Sequence, residues 1–196
     1  MMKLFYGILL IIVVSSCSPF DTRNPEEPEN NSSSYVPPTS PEIVIENFKN
    51  AILEKNLDNY MNCFTGSTPS SNIKYDFVPS PDVLNSFPNI FQNWTLEDER
   101  RIFTAMISNL PQNLSIDLNI ENDQKGFESR TPDSALYVSY YSIRIPAEGT
   151  YTTYEGNLQF NIISMGNSFW RINKWVDSDA GSDTTETWSF LKGKLY

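Results

Sequence analysis

Apolar positions along the chain recur with two different periods, and the change falls at Pro111. Before it the spacing is helical. Val44, Ile45, Phe48, Ala51 and Ile52 mark one amphipathic stripe. Ser40-Pro41-Glu42 stands in front of that stripe, and a Ser cap, a Pro at the first helical position and an early acid together predict a helix start. A second short helix over residues 57–64 presents Leu57, Tyr60 and Phe64 on one face. Residues 66–72 form a turn-rich break, and residues 73–78 read as a short strand with Ile73, Tyr75 and Phe77 on one side. Ser80-Pro81-Asp82 repeats the helix-start signal, and residues 83–87 run helically to Pro88. Thr95-Leu96-Glu97-Asp98 then opens the best-patterned helix, with Leu96, Ile102, Phe103, Met106, Ile107 and Leu110 on its buried side.

After Pro111 the period is two. Leu114, Ile116, Leu118 and Ile120 alternate with Ser115, Asp117, Asn119 and Glu121, which describes a sheet strand with one wet face. Residues 135–145 form a second, longer strand. Its apolar phase passes from Leu136, Val138 and Tyr140 to Tyr141, Ile143 and Ile145, which predicts a bulge and a bent strand. Residues 151–164 follow, with Gly156 as a candidate second bulge, and Met165-Gly166-Asn167 turns the chain into residues 169–176. Four strands joined by short turns predict an antiparallel meander, preceded by helices, so the class is α+β.

The N-terminal end follows a different pattern. Lys3, an apolar run over residues 4–14 and Ser15-Ser16 supply in order the cationic start, the apolar core and the small residues of a secretory signal. The run is too short to span a bilayer core of about 30 Å, which needs roughly 20 helical residues. It ends in Val14-Ser15-Ser16-Cys17, which resembles the lipobox of bacterial lipoproteins, with Val14 where Leu is commonest and Ser16 where Gly or Ala is. The resemblance implies cleavage before Cys17, a diacylglycerol on its sulfur and an acyl group such as palmitate on its amine. Two or three such chains hold stably on a membrane. Ser18 in place of Asp implies, on the same resemblance, an outer-membrane rather than an inner-membrane address. Residues 18–39 are rich in Pro, Asn, Ser and Glu, with little to bury. As a flexible coil they reach roughly 25 Å, and about 70 Å when extended. The expected organisation is a signal peptide over residues 1–16, a lipidated cysteine and tether over 17–40, and one folded domain over 41–196.

Charge narrows the partners. The chain carries a net charge of −10, and its only adjacent basic pair is Arg100-Arg101, so nucleic acid is excluded as a partner. Anionic headgroups are disfavoured on the same ground, which leaves lipidated Cys17 as the membrane contact. Aromatic residues make up 13% of the chain, enough for one large core. With the sulfur of Cys17 consumed, Cys63 has no partner for a disulfide, and its apolar helical setting predicts a buried, inert thiol.

With no histidine in the chain, Ser-His and Cys-His pairs, imidazole bases and His-ligated metals are excluded. Alternating carboxylates in Asp177-Ser178-Asp179-Ala180-Gly181-Ser182-Asp183 invite a calcium-loop reading, but Gly181 falls one place early and Trp188 stands where the bidentate Glu belongs. A solvated loop is expected. No catalytic residue, metal ligand or cofactor is assigned.

Two segments resemble the NTF2-like (SnoaL-like, cystatin-like) proteins. Asn47-Phe48-x-x-Ala51-Ile52-x-x-Lys55-Asn56-x-Asp58-x-Tyr60-x-x-x-Phe64 is similar to their opening helix pair, and Phe169-Trp170-Arg171-Ile172-Asn173-Lys174-Trp175-Val176-Asp177 to their closing strand. With the tail from Trp188 to Gly193, the chain further resembles lipoproteins of that fold. The resemblance implies an α+β cone whose N-terminal helices pack on a strongly curved antiparallel sheet. Members use the cone as an isomerase site, a ligand cup or a dimer surface. Tyr140, Trp170 and Trp175 are the candidate cavity or interface residues. Isomerases of this fold pair an inward Asp with a Tyr or protonated Asp. Asp76, Asp117, Tyr140, Tyr141 and Asp177 are available for that, although solvated carboxylates and core tyrosines are the expected reading. The expectation is thus a non-catalytic binding or assembly module, with an isomerase, lyase or apolar-ligand carrier as the alternative. An unknown protein or small-molecule partner and a homodimer both stay open here.

Overall fold

The computed structural model describes residues 33–67, 73–111, 113–120, 126–147, 149–166, 168–181 and 185–196. The signal peptide, Cys17 and most of the tether lie outside the described residues. The first helix, α1 (Pro41–Leu53), starts where Ser40 holds extended backbone and Pro41 takes the first turn. It buries Val44, Ile45, Phe48, Ala51 and Ile52, the stripe read from the sequence. α2 (Leu57–Asn62) is capped by the Asn56 side chain, which accepts from the Asn59 N–H at 3.0 Å. After β1 (Asp76–Val78) and the single turn α3 (Val83–Ser86), α4 (Leu96–Ser108) opens on a capping box. There Thr95 accepts from the Asp98 N–H, and the Asp98 carboxylate accepts from the Thr95 N–H at 2.8 Å.

The strands that follow are β2 (Asp117–Ile120), β3 (Phe127–Arg130), β4 (Ser134–Ala147), β5 (Thr150–Ser164) and β6 (Trp170–Ser178), and the last element is α5 (Trp188–Leu195). They form a six-stranded sheet in the order β1-β6-β5-β4-β2, with β3 pairing on β4 as well. All pairs are antiparallel except β1 with β6, so the sheet is mixed. The meander β4-β5-β6 is the one predicted.

Three readings need correction. β4 has no bulge: its register with β5 runs unbroken from Ser134 opposite Ile163 to Ala147 opposite Thr150. Its buried face is Ala135, Tyr137, Ser139, Tyr141 and Ile143 throughout, and the apparent change of phase comes from Leu136, Val138 and Tyr140 half-buried on the other face. The register shifts instead in β3, between Phe127 and Ser129, and between β5 and β6 at Asn161/Ile162. Gly156 is no bulge either, since it sits in register opposite Tyr141. A Cβ there would lie 2.6 Å from the Ser178 carbonyl oxygen and 2.7 Å from the Tyr141 hydroxyl, so the glycine serves close approach. Finally, β3 and α5 were not predicted.

Helices and the inner sheet face close on an aromatic core. Phe48 of α1 lies 5.2 Å from the Phe160 ring, 5.8 Å from Trp175, 5.9 Å from Trp188 and 5.6 Å from Tyr60, centroid to centroid. Each such ring buries roughly 150–250 Å², which contributes about 4–6 kcal/mol before entropy is set against it.

Candidate functional site

The core holds two buried polar clusters, and α5 supplies a partner to each. The first centres on Glu99. On α4 it shares the stripe of Ile102, Phe103 and Met106, which carries its side chain inward to 1% exposure. Its Oε1 accepts from the Tyr60 hydroxyl at 2.6 Å. Its Oε2 accepts from Trp94 Nε1 at 3.0 Å, from the Tyr75 hydroxyl at 3.3 Å and from Lys192 Nζ at 2.8 Å. The ammonium of Lys192 also lies 3.6 Å from the Phe77 ring centroid and 3.7 Å from that of Trp175. Burial pulls the Lys192 amine down to about 8 even though Glu99 opposes it. Burial, reinforced by Glu99, holds the Tyr60 and Tyr75 hydroxyls well above their ordinary value.

The second cluster centres on Asp177 at the end of β6. Its Oδ1 accepts from the Tyr141 hydroxyl at 2.8 Å. Its Oδ2 accepts from the Ser189 N–H at 2.7 Å and the Ser189 hydroxyl at 2.5 Å. The Trp188 N–H in turn donates to the Tyr141 oxygen at 2.6 Å, and the Ser80 N–H to the Ser189 hydroxyl at 2.9 Å. Burial lifts the Asp177 carboxyl to about 6, against the hydrogen bonds from Ser189 and Tyr141 that favour its charged form.

Of the residues singled out in the sequence, the structure brings together Tyr141 and Asp177 and separates the rest. Asp177 is 1% exposed, so the solvated reading of this carboxylate is corrected: α5 folds over it. Asp76 pairs with Lys174 at 2.9 Å and Asp117 with Arg144 at 3.2 Å, both at the surface. Tyr140 is half-buried on the opposite face of β4, across from Asn157. Trp170 is half-buried at the start of β6, where its N–H donates to the Pro38 carbonyl at 2.7 Å. Trp175 is fully buried on the inner face between Phe77, Phe160 and Trp188. Cys63 is buried, and burial pushes its thiol up to about 12. In the acidic loop, Asp179 accepts from the Gly181 N–H at 2.8 Å, Asp177 is committed to the core, and Asp183 lies outside the described residues.

The Glu99–Lys192 pair was missed, although Glu99 stands three, four and seven positions before Ile102, Phe103 and Met106. An acid on an apolar stripe is the signal that could have found it.

No family model matches the chain, and no curated protein does. Among solved structures it is similar to a putative aromatic ring hydroxylase from Novosphingobium aromaticivorans, at 13% identity and a TM-score of 0.51 over 71% of this chain and 85% of that one. It is also similar to the beta subunit of the benzoate 1,2-dioxygenase from Burkholderia mallei, at 16% identity and 0.50 over 69% and 85%. An NTF-2-like protein of unknown function from Shewanella oneidensis aligns at 12% identity and 0.48 over 69% and 93%. At such identities the likeness is one of fold. The chain has an α+β fold of NTF2-like type, with helices packed on a six-stranded mixed sheet. Among the described residues no helix is long and apolar enough to cross a membrane.

Proposed function

We propose that the chain is an envelope lipoprotein, held on the outer membrane through Cys17, whose NTF2-like domain is a non-catalytic binding or assembly module. The observation that carries the non-catalytic reading is the closure of the Asp177–Tyr141 pair. An inward acid beside a tyrosine is the chemistry of a proton-transfer site. Here both Asp177 oxygens are hydrogen-bonded, and Tyr141 is fully buried under Trp188. Beside it the rings of Phe48, Phe160, Trp175 and Trp188 pack on one another with centroids 4.9–5.9 Å apart, as in a filled core. A protein that works this way meets its partner on its surface. The fold accommodates such use, since the neighbour from Burkholderia mallei is named as a subunit of a larger enzyme.

Thermal melts with a panel of steroids, naphthols and fatty acids test the reading. A ligand at 100 times its dissociation constant adds about 2.7 kcal/mol, which raises the melting temperature of a domain this size by roughly 5–10 °C. No compound is expected to do so. A shift of that size, lost in Asp177→Asn, would restore the isomerase or carrier reading.

A further inference from the structure

The way α5 is fastened differs from that of the other long helices. Of its buried residues, Trp188 and Leu191 carry large apolar side chains, Ser189 and Lys192 are polar, and Gly193 has no side chain. By contrast α1 buries the apolar stripe of Val44, Ile45, Phe48, Ala51 and Ile52. The first amides of a helix find no acceptor within it. In α5 two of them reach the body of the domain, the Trp188 N–H donating to Tyr141 and the Ser189 N–H to Asp177. One turn on, Lys192 donates to Glu99. Upstream, the Glu186 carbonyl accepts from the Glu155 N–H of β5 at 2.9 Å. A swing of α5 that starts at Thr187 therefore leaves the pairing of β4, β5 and β6 whole.

Docking also brings charges of the core together, since Lys192 faces the carboxylates of both Glu99 and Asp177. The other titratable groups around them are Tyr60 on α2, Tyr75 ahead of β1, Tyr141 on β4 and, beyond Tyr141, Asp82 ahead of α3. Burial of Trp188 and Leu191 favours closure. The hydration that Lys192, Glu99 and Asp177 forgo when α5 covers them favours opening.

We propose that α5 is a latch, which undocks and redocks as one unit while the sheet and the other helices stay folded. Undocking opens the α5 side of Asp177, Tyr141 and Glu99 to water. The latch rests on the closed interior of the proposed reading and makes that closure reversible. Acidity sets how firmly it holds. The docked Asp177 carboxyl lies at about 6, and undocking returns it toward the ordinary range, so the docked form is favoured as pH falls below 6. Docked Lys192 lies at about 8 and acts in the opposite sense, favouring the docked form as pH rises past 8. The latch is loosest between the two.

The test is hydrogen exchange of the full-length chain in nonionic detergent, read by mass spectrometry at pH 5 and pH 7 over a series of subdenaturing guanidinium concentrations. Rates are corrected for the intrinsic effect of pH. The amides of Trp188, Ser189, Phe190 and Leu191 are expected to exchange together, at least about tenfold faster than those of β4, β5 and β6. Their opening is about tenfold more frequent at pH 7 than at pH 5, the change that the raised Asp177 carboxyl imposes, and Asp177→Asn removes that difference. Leu191→Cys gives a second reading: its thiol on α5 is alkylated faster than that of Cys63, which is buried at the end of α2. If that variant does not fold, exchange of the native chain decides alone. Exchange of α5 in step with β5 at every guanidinium concentration would overturn the latch. So would fraying from Leu195 inward with Trp188 and Ser189 as slow as the sheet, or an opening equally frequent at both pH values. Exchange reads the opening with no ligand present, so the latch can fail while the non-catalytic reading stands, and a ligand that raises the melting temperature would unseat that reading without touching the latch.

Discussion

At the scale of single residues, the decisive pair is Glu99 with Lys192. Removing water from two charges costs several kcal/mol for each, and here that is offset by four donors on the carboxylate and two aromatic faces on the ammonium. Such a pair is sensitive to the loss of one member more than of both. Lys192→Met is expected to destabilise the domain by about 3–5 kcal/mol, because Glu99 is left buried with an uncompensated charge. Glu99→Gln in the same chain recovers most of that loss, since an amide oxygen in the Oε2 position still accepts from Trp94 and Tyr75 and the amide NH2 can donate to the Tyr60 oxygen. Guanidinium unfolding of the two single variants and the double variant measures the coupling; additive costs would show that the pair is not energetically linked. Sequence alone could have flagged Glu99 by its place on an apolar stripe. Lys192 carried no comparable signal, because a lysine in a short C-terminal segment is ordinarily solvated.

At the scale of elements, the helices and the meander were legible because each carries its own period and punctuation. Thr95 and Asp98 mark the start of α4, and Ile116 and Ile120 mark the inner face of the second strand, all readable without tertiary information. β3 was not legible, since Phe127 to Arg130 has no alternation and exists by pairing with β4 across a register shift. α5 is only eight residues long, below the length at which helical periodicity speaks, and most of its face is settled by what it packs on. The phase change in β4 misled because a sheet face can be half-buried without being core. Gly156 shows how closely the elements are fitted. Gly156→Ala is expected to destabilise by about 1–3 kcal/mol, as the new methyl drives against the Ser178 carbonyl and the Tyr141 hydroxyl. The near-ultraviolet dichroism of Trp188 and Tyr141 should change with it. A neutral result by thermal melting would mean that β6 can shift away at little cost.

At the scale of the whole molecule, an acidic domain gains nothing from anionic headgroups, so the proposed membrane residence rests on the acyl chains proposed on Cys17. Growth with an alkyne-labelled palmitate analogue followed by fractionation checks this. The native chain is expected to take up label and sediment with membranes, and Cys17→Ala to do neither; an unlabelled, soluble native chain would remove the anchor from the proposal. The layout of the interior also sets an order of events during synthesis. Glu99 and Lys192 are 93 positions apart, and Asp177 waits for Ser189. A chain delivered N terminus first therefore presents α4 and the finished meander while two core carboxylates still lack the donors that α5 brings, and Glu99 is without its countercharge until Lys192 arrives. The domain cannot lock early, which suits the membrane passage that the proposed lipoprotein signal calls for.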